Sequence, residues 1–457
     1  MEDTLSEDAE LADLKPAGVL TYVLGYDDLL ACASSAMPAL GPNVQSLEIR
    51  RTSGETPPRF AEGAVLIPDR YVSGRHALIE RRGVVDIVRD LGSKHGTLVS
   101  GERLAPGEER VLHDGDWLEV GHSFLCYRRI DARLALQQAA CLGPTRTLSP
   151  EFARIAMELE QVAGTRQPIL LLGETGTGKE VAARYVHDKS GRSGPFVAVD
   201  CGAIPEHLVE SELFGHRRGA FTGATEERQG RLRSAEGGTL FLDEIGNMSE
   251  SAQARLLRVV QDREVIPVGA DKGVRVDVRW IAATNTDLFA KEARFRADLR
   301  ERLAGYTAIL PPLRRRREDL GILTSHILEK AAVSKASITR AAARILFGGP
   351  LEGNVRELER VLVRIAVLAD GHPMDTPHLP VTMTGDLQDP LAGPVPATRP
   401  PPTSSGKHRC PSREQLVAVL ERAGGIQRDA ARLLGVHERQ LARWMDVLGL
   451  PRARSGH

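Results

Sequence analysis

Cysteine is scarce in this chain of 457 residues, and no two cysteines have the close spacing of a CxxC motif. The five are odd in number and scattered, at Cys32, Cys126, Cys141, Cys201 and Cys410. A disulfide framework or a structural zinc site requires paired or closely spaced cysteines, so the pattern argues against both. It suits a reducing compartment.

Long apolar runs and a large net charge are lacking as well. The longest apolar runs, such as Ile169–Leu172, are far shorter than the roughly 20 residues that span a bilayer. The first residues, Met1-Glu2-Asp3, are acidic, whereas a secretory leader begins with basic residues. We therefore expect a cytoplasmic protein without a membrane segment. Because the net charge is −1, any binding to nucleic acid must come from a local basic patch.

The chain is too long for one ordinary hydrophobic core, and its composition changes along its length. Short β-like runs between turn residues predict an all-β sandwich, and alternating strands and helical stretches predict a parallel α/β domain. A segment rich in Pro, Thr and Ser predicts an extended linker before a helical tail. The expected segments are 1–40 with no assigned role, 41–130 the sandwich, 131–148 a linker, 149–380 the α/β domain, 381–410 the Pro-rich linker and 411–457 the helical tail.

A phosphate-binding loop occupies residues 173–179, between the strand candidate Ile169–Leu172 and a helical stretch. In that context backbone N–H groups and the helix N-terminus cradle phosphates, and the lysine reaches the outer ones. Glu180 stands where most such loops have Ser or Thr. A glycine-rich turn without a ligand is the structural alternative. The candidate nucleotide-binding residues are Gly173, Glu174, Thr175, Gly176, Thr177, Gly178, Lys179 and Glu180.

An acidic pair ends the apolar strand candidate Thr239–Asp243. This position puts Asp243 and Glu244 at the carboxyl edge of the sheet, beside the phosphate-binding loop. We expect Asp243 to hold Mg²⁺, which prefers hard oxygen ligands, and Glu244 to act as general base on the attacking water. An acidic pair after a strand is also a common helix N-cap, so the catalytic interpretation depends on the loop.

Between these motifs lies Gly219-Ala220-Phe221-Thr222-Gly223-Ala224, in which two glycines bracket a Phe-Thr pair. Glycine permits positive φ, so the pattern predicts a mobile loop with an aromatic tip. Hydrolysis alone does not require such a loop, whereas pushing on a partner does. GAFTGA and GETGTGKE together resemble the bacterial enhancer-binding activators of sigma-54 RNA polymerase, which are AAA+ ATPases. The similarity runs from about Ser149 to the C-terminus, interrupted by the Pro-rich linker.

The resemblance implies that ATP and Mg²⁺ bind in an AAA+ domain with a helical lid, and that the GAFTGA residues contact sigma-54. It also implies roles for residues that composition does not single out. Asn285 matches the sensor I position, and Arg356 within GNVREL matches the sensor II helix. Arg296 and Arg302 match arginine fingers that act in a neighbouring subunit, which requires a homo-oligomer, from a dimer to a hexameric or heptameric ring.

Three positions depart from the family pattern. Asp200 replaces an Asn that restrains the catalytic glutamate, Arg217 replaces a frequent Glu before GAFTGA, and Leu351-Glu352 replaces Trp-Pro. A carboxylate cannot donate the hydrogen bond that an amide donates. We therefore expect these departures to alter how hydrolysis is transmitted rather than hydrolysis itself.

The runs Val72–Ala77 and Asp90–Thr97 resemble the forkhead-associated (FHA) fold, a sandwich that reads phosphothreonine peptides from loops at one end. The resemblance implies a phosphorylated protein or a Ser/Thr kinase as partner, and His76 as a brace for the loop. Arg50 replaces the usual glycine and His95 the usual asparagine. A docking module that does not read phosphate is the alternative. The implied phosphopeptide contacts are Arg51, Ser73, Lys94 and His95.

The tail is rich in basic residues, and Ala430–Val436 resembles the Fis-type helix-turn-helix. Its second helix is expected in the major groove of enhancer DNA. The expected DNA contacts are His437, Arg439, Gln440 and Arg443, of which Arg439 and Gln440 have the shapes for guanine and adenine edges. A helical hairpin with a solvated basic face is the alternative.

These features combine into one hypothesis, a signal-responsive transcriptional activator. The sandwich senses a phosphorylated partner, the tail binds an enhancer, and an ATPase ring remodels sigma-54 RNA polymerase. Two alternatives from other classes stay open: an AAA+ remodeller of a different protein, and a DNA-binding regulator with a vestigial ATPase.

Overall fold

The computed structural model describes residues 17–30, 35–40, 44–53, 58–61, 63–130, 140–142, 145–221, 223–290, 294–384, 416 and 445. The chain forms two compact units, Met1–Ala392 and Gly393–His457. Within the second unit only Leu416 and Met445 are described, both buried. The predicted DNA contacts His437, Arg439, Gln440 and Arg443 therefore lie outside the described residues.

The N-terminal part of the first unit is an all-β sandwich, as predicted. Its strands are Ala17–Gly25 (β1), Ser35–Leu40 (β2), Ser46–Arg51 (β3), Arg59–Ala61 (β4), Ala64–Ile67 (β5), Ala77–Arg82 (β6), Val85–Asp90 (β7), Thr97–Val99 (β8), Glu102–Arg103 (β9), Glu109–Leu112 (β10), Trp117–Val120 (β11) and Ser123–Ile130 (β12). One sheet has the strand order β2-β1-β12-β11-β8-β9 and the other β10-β7-β6-β3-β5-β4.

The sandwich begins earlier in the chain than the predicted boundary at residue 41. Strand β1 pairs antiparallel with β12 along its whole length, from Ala17 opposite Ile130 to Gly25 opposite Ser123. Strand β2 extends the same sheet on the other side of β1. Part of the segment 1–40, to which the sequence analysis assigned no role, is therefore integral to this sheet.

A parallel five-stranded sheet forms the centre of the α/β domain. Its strands are Ile169–Leu172 (β15), Phe196–Asp200 (β16), Thr239–Asp243 (β17), Arg279–Thr284 (β20) and Tyr306–Ile309 (β21). They lie in the order β16-β17-β20-β15-β21, and neighbouring strands all pair in parallel register. Apolar clusters cover both faces, which explains why the strands are continuous apolar runs.

Two short antiparallel strand pairs lie before this domain and within it. Ala140–Leu142 (β13) pairs with Thr145–Thr147 (β14) ahead of the domain, and Glu264–Val265 (β18) pairs with Val274–Arg275 (β19) within it. The parallel sheet positions the functional residues, because the carboxyl ends of β15, β17 and β20 meet at one edge.

Helices surround the sheet and then form the lid. Those of the α/β domain are Pro150–Ala163 (α1), Lys179–Lys189 (α2), Glu206–Phe214 (α3), Arg231–Ser234 (α4), Glu250–Asp262 (α5) and Ala297–Leu303 (α6). Those of the lid are Leu320–Lys330 (α7), Arg340–Gly348 (α8), Asn354–Ala369 (α9) and Val381–Thr384 (α10). Short 3₁₀ turns at Ile245–Asn247, Leu313–Arg315, Arg317–Asp319 and Thr376–His378 connect them.

Candidate functional site

The phosphate-binding loop joins β15 to α2 and ends in a buried lysine. Gly176 and Gly178 have φ of 79° and 104°, in the left-handed region that favours glycine. The Lys179 ammonium donates to the carbonyls of Gly173 (2.9 Å) and Glu174 (3.2 Å). Burial lowers the pKa of Lys179, and the nearby carboxylates of Glu244 and Asp243 oppose that shift. The lysine therefore lies within electrostatic reach of the acidic pair, as the two motifs require.

Asp243 and Glu244 end β17 at the same sheet edge. Burial raises the pKa of Asp243, and the charges of Asp200 and Glu180 add to that effect while Lys179 opposes it. Glu244 has φ of 51°, uncommon for a residue with a side chain and typical of functional sites. It precedes a 3₁₀ turn but makes no side-chain capping hydrogen bond. The N-cap alternative is thus not realised by Glu244.

Asn285 connects the loop to the acidic pair from the end of β20. Its amide donates to the Thr175 hydroxyl (3.1 Å), and its backbone N–H donates to Glu244 (3.4 Å). The Asn285 side chain thus contacts the loop, and its backbone contacts the glutamate. The predicted sensor I residue therefore contacts two other predicted site residues.

The lid approaches the loop at the start of α9. The Val355 N–H donates to the Gly176 carbonyl (3.0 Å), and a Cβ at Gly176 would collide with the Gly353 carbonyl. A Cβ at Gly176 would also be 3.1 Å from Arg356 Cβ. The predicted sensor II helix, including Arg356, therefore begins against the phosphate-binding loop.

Other predicted residues lie on the surface of the α/β domain. Glu180 accepts from Arg184 (2.8 Å), one turn along α2. Arg296 and Arg302 are both exposed on or beside α6. Both oxygens of Asp298 accept from Arg296, at 3.0 and 2.7 Å. The structure places both arginines on the surface, where a neighbouring subunit could reach them.

The GAFTGA segment forms a closed loop. The Gly219 N–H donates to the Ala224 carbonyl (2.8 Å), and the Ala224 N–H donates to the Phe221 carbonyl (3.0 Å). Gly219 and Gly223 have φ of 83° and 100°, as the sequence predicts for bracketing glycines. Phe221 is 40% exposed and contacts the His216 ring edge to face, with the ring centroids 5.0 Å apart. Thr222 lies outside the described residues.

The base of this loop is tied to the rest of the domain. His216 bridges to Arg228 and to Val268, and the Arg217 N–H donates to the Val268 carbonyl (3.0 Å). Ala220 packs against Gly269, where a Cβ would be 2.9 Å from the alanine methyl group. The loop is held at its stem while its aromatic tip faces outward.

A second candidate site lies at one end of the sandwich. Arg51, Ser73, Lys94 and His95 line one cavity of about 560 Å³, together with Arg70 and Tyr71. The Lys94 N–H donates to the Ser73 hydroxyl (3.1 Å). All four predicted phosphopeptide contacts are therefore brought together, although they come from three separate segments.

Buried His76 braces the loop of this cavity. Its Nδ1 accepts from the Ser73 N–H (3.0 Å), so its Nε2 donates to the Gly96 carbonyl (3.3 Å). Burial lowers the pKa of His76, which keeps the imidazole neutral and in this tautomer. Asp90 holds the other side of the loop by accepting from Ser93 and Thr97.

Comparisons with known proteins match four regions of the chain in order. Residues 59–121 match the FHA domain, 146–308 the Sigma-54 interaction domain, 314–391 the AAA+ ATPase lid domain, and 412–446 the Bacterial regulatory protein, Fis family. The Nif-specific regulatory protein of Bradyrhizobium diazoefficiens is 40% identical over 424 residues, covering 82% of this chain and 70% of that protein. The chain belongs to the sigma-54-dependent activators.

Other curated proteins are similar over about two thirds of this chain. The Nif-specific regulatory protein of Azotobacter vinelandii is 42% identical over 308 residues, covering 66% of this chain and 58% of that protein. ZraR, a transcriptional regulatory protein of Escherichia coli, is 40% identical over 304 residues, covering 64% of this chain and 66% of ZraR. The chain thus spans less than two thirds of the length of these two relatives. A structure of NtrX from Brucella abortus in complex with ADP is 31% identical and has a TM-score of 0.48. The match covers 66% of this chain and 69% of the NtrX chain.

The family assignment confirms the predicted fold class: an FHA sandwich, an AAA+ domain with a helical lid, and a Fis-type helix-turn-helix. No helix in the described ranges is long and apolar enough to cross a membrane. Within those ranges no cluster of three or more His, Cys, Asp or Glu side chains forms a metal site.

Sequence reasoning did not single out Asn354, Arg314 or Arg316, which contact the phosphate-binding loop of this sigma-54-dependent activator. Asn354 donates to Glu174 (3.2 Å) and to the Thr175 carbonyl (3.0 Å). Arg314 forms a two-point ion pair with Glu174, which lowers the pKa of that carboxyl. In the sequence, the run Arg314–Arg317 indicates such contacts. Four consecutive arginines in a chain of net charge −1 require carboxylate or carbonyl partners.

Proposed function

We propose that this activator hydrolyses ATP and uses the energy to drive its GAFTGA loop against sigma-54 RNA polymerase, which opens promoter DNA. One observation carries the proposal. A loop closed between Gly219 and Ala224 holds Phe221 outward on the same domain in which Lys179, Asp243, Glu244 and Asn285 converge. The domain thus combines the parts of a hydrolase with an aromatic tip that hydrolysis itself does not use.

The chemistry proposed for the loop follows from its charges. Lys179 would exchange its two carbonyl partners for the outer phosphates of the nucleotide. Glu244 would take a proton from the attacking water, since its carboxylate carries no capping bond. The carboxylate of Glu244 acts electrostatically on Lys179, which supports a shared role for the two residues.

Magnesium fits the donor set at this edge. Asp243 offers one carboxylate beside the loop, and Mg²⁺ usually takes one or two protein carboxylates together with substrate phosphates and water. Mg²⁺ would neutralise phosphate charge, and Asp243 would hold it in place.

Hydrolysis in trans is proposed for the two arginines of the α6 region. Arg296 and Arg302 are exposed, and Asp298 holds the guanidinium of Arg296 in one orientation. A cation delivered to the γ-phosphate from outside the subunit stabilises the developing charge and makes activity depend on assembly. We therefore propose that the active form is a homo-oligomeric ring.

Two further modules would bind the signalling protein and the enhancer DNA. We propose that the cavity around Arg51, Ser73 and Lys94 binds a phosphothreonine-containing protein, because a guanidinium, a hydroxyl and an ammonium face one volume. We propose that the Fis-type tail binds enhancer DNA through His437, Arg439, Gln440 and Arg443.

Open-complex formation tests the central proposal. Phe221→Ala in the full chain should abolish promoter opening by purified sigma-54 polymerase while ATP turnover stays measurable. Phe60→Ala is the matched control, since Phe60 has a similar exposure (37%) and lies on β4 of the sandwich. Undiminished opening by Phe221→Ala would contradict the proposal and favour a remodeller of a different protein.

A further inference from the structure

The FHA sandwich does not expose the outer face of its first sheet. On β11 and β12, Leu118 and Leu125 point into the sandwich core, whereas Trp117, Phe124 and Cys126 join a different apolar cluster. That second cluster is completed by the lid helices α7, α8 and α9. The sandwich and the lid therefore share one hydrophobic core.

A buried ion-pair cluster lies at the centre of this contact. Glu119 of β11 is 0% exposed and accepts from Arg344 (2.6 and 2.7 Å) and from Arg340 (2.7 Å), both on α8. Tyr26 adds a hydroxyl at 3.4 Å. A carboxylate buried without partners is strongly unfavourable, so Glu119 requires the two arginines of the lid.

Backbone hydrogen bonds reinforce the same contact. The Leu29 N–H donates to the Ala336 carbonyl (2.8 Å), and the Ile338 N–H donates to the Tyr26 carbonyl (2.8 Å). These bonds join the end of β1 to the segment between α7 and α8. The docked arrangement is thus specified by apolar packing, charge and backbone pairing together.

One short segment, residues 313–319, links this interface to the nucleotide site. Arg314 pairs with Glu174, and Arg316 donates to the Thr177 carbonyl (2.7 Å), so two alternate arginines hold the phosphate-binding loop. Arg317 donates to the carbonyls of Gly348 (3.1 Å) and Gly349 (3.0 Å) in the lid.

The same segment is held from the sandwich side. Arg128 of β12 donates to the Arg315 carbonyl, and its guanidinium lies 3.4 Å from the buried carboxylate of Glu318. Cys126, two residues earlier, points its sulfur at Glu318 (3.7 Å). Sandwich, lid and phosphate-binding loop therefore all contact this single run of residues.

We propose that the docked sandwich sets the nucleotide affinity of the phosphate-binding loop through residues 313–319. Arg314 and Arg316 reach the loop from a backbone that Arg128 helps to fix. Releasing the sandwich should loosen these two contacts and weaken nucleotide binding. The inference rests on the nucleotide binding proposed above for this loop.

The cavity at the end of the sandwich adjoins the interface between the sandwich and the lid. Tyr71 of the cavity stacks on His122 with ring centroids 3.6 Å apart, and His122 bonds to Asp27 (3.0 Å), next to Tyr26. A ligand that moves Tyr71 therefore acts on the residues that hold the lid. By linkage, any such coupling between the two sites is reciprocal.

The test uses the full-length chain and a fluorescent N-methylanthraniloyl-ADP probe with Mg²⁺. Glu119→Gln and Arg340→Gln each weaken the buried cluster, and Arg340 lies at its rim with a side chain 19% exposed. Lys330→Gln is the matched control, because its ion pair with Glu359 is on the same lid but exposed. Hydrogen exchange of Arg340–Gly348 reports whether the sandwich has left the lid.

We expect faster exchange at Arg340–Gly348 and ADP binding at least about fivefold weaker in both variants, with Lys330→Gln unchanged. Arg340→Gln decides the matter if Glu119→Gln does not fold. Faster exchange with unchanged ADP affinity would overturn the coupling alone. Unchanged exchange in Arg340→Gln would overturn the docked interface. Absence of ADP binding by the unaltered chain would instead contradict the proposed function.

Discussion

Asp200 and Asp243 lie directly opposite each other, at the ends of the paired parallel strands β16 and β17. Asp200 Oδ1 accepts from the backbone N–H groups of Gly202 (2.9 Å) and Ala203 (3.2 Å). Gly202 separates this side chain from Glu244: a Cβ there would be 3.4 Å from Asp200 Oδ1 and 3.8 Å from Glu244 Cβ. Two acidic residues thus occupy paired strand ends where the family pattern has an amide and a carboxylate, and the Asp200 charge acts on Asp243.

Asp200→Asn should move the acidic limb of the ATPase pH profile to lower pH. Burial is the main cause of the raised pKa of Asp243, and the Asp200 charge adds to it, so its removal lowers that pKa. Steady-state turnover against pH measures this shift, with Asp262→Asn, at the end of α5, as control. A shift to higher pH would contradict the electrostatic argument.

Glu244→Gln should reduce ATP turnover by about 10²- to 10⁴-fold, the usual contribution of a general base. Nucleotide affinity should change little, because Lys179 and the loop backbone are untouched. Phosphate release and fluorescent-nucleotide titration measure the two effects separately, with Glu250→Gln, in the first turn of α5, as control. Equal turnover by Glu244→Gln and the unaltered chain would remove Glu244 from the mechanism.

Arg51→Gln should weaken binding of a phosphothreonine peptide about 10- to 100-fold, as expected for losing a hydrogen bond to a charged group. The probe is a peptide selected from a randomised phosphothreonine library, and its unphosphorylated form should not bind. Arg59→Gln serves as control, because Arg59 is also an exposed strand arginine but does not line the cavity. Equal affinity of the two variants would favour a docking module that does not read phosphate.

Glu318→Gln should stabilise the protein more at pH 8 than at pH 5.5. Burial raises the pKa of Glu318 to about 7, with Asp319 adding to the rise and Arg128 opposing it. Because the pKa of Glu318 is higher in the folded protein than in the unfolded chain, protonation of Glu318 favours folding. This contribution to stability is complete below about pH 4.5 and is lost as the pH rises through 7. The gain at pH 8 should be roughly 1–3 kcal/mol.

Thermal unfolding of the Glu318 variant at the two pH values measures this difference. Glu329→Gln, exposed on α7, is the control and should behave alike at both. A destabilised Glu318→Gln at pH 8 would show that the ion pair with Arg128 outweighs the burial of the charge.

The central sheet was largely predictable because burial on both faces produces continuous apolar runs. Strands Ile169–Leu172 and Thr239–Asp243 have the predicted bounds. The edge strand Tyr306–Ile309 was missed, since an edge position leaves Ile309 64% exposed and weakens the apolar signal. Local pattern reveals buried strands better than edge strands.

Long-range pairing was not predictable from local pattern. Strand Ala17–Gly25 pairs with Ser123–Ile130 across about a hundred residues, and no motif marks either partner. The sequence of strand Trp117–Val120 does indicate the lid interface. Trp117–Val120 is buried at every position and contains Glu119, which indicates a sheet covered on both faces and a charge with partners elsewhere. Only the fold identifies those partners as Arg340 and Arg344.

The central claim is that nucleotide state directs the GAFTGA loop onto sigma-54. The most direct measurement is binding of the full-length chain to purified sigma-54 with ADP alone and with ADP plus aluminium fluoride, a mimic of the transferring phosphate. We expect a stable complex only with the mimic, lost in Thr222→Ala and retained in Phe60→Ala. Absence of a complex despite normal ATP turnover, or a complex that Thr222→Ala leaves intact, would contradict the account.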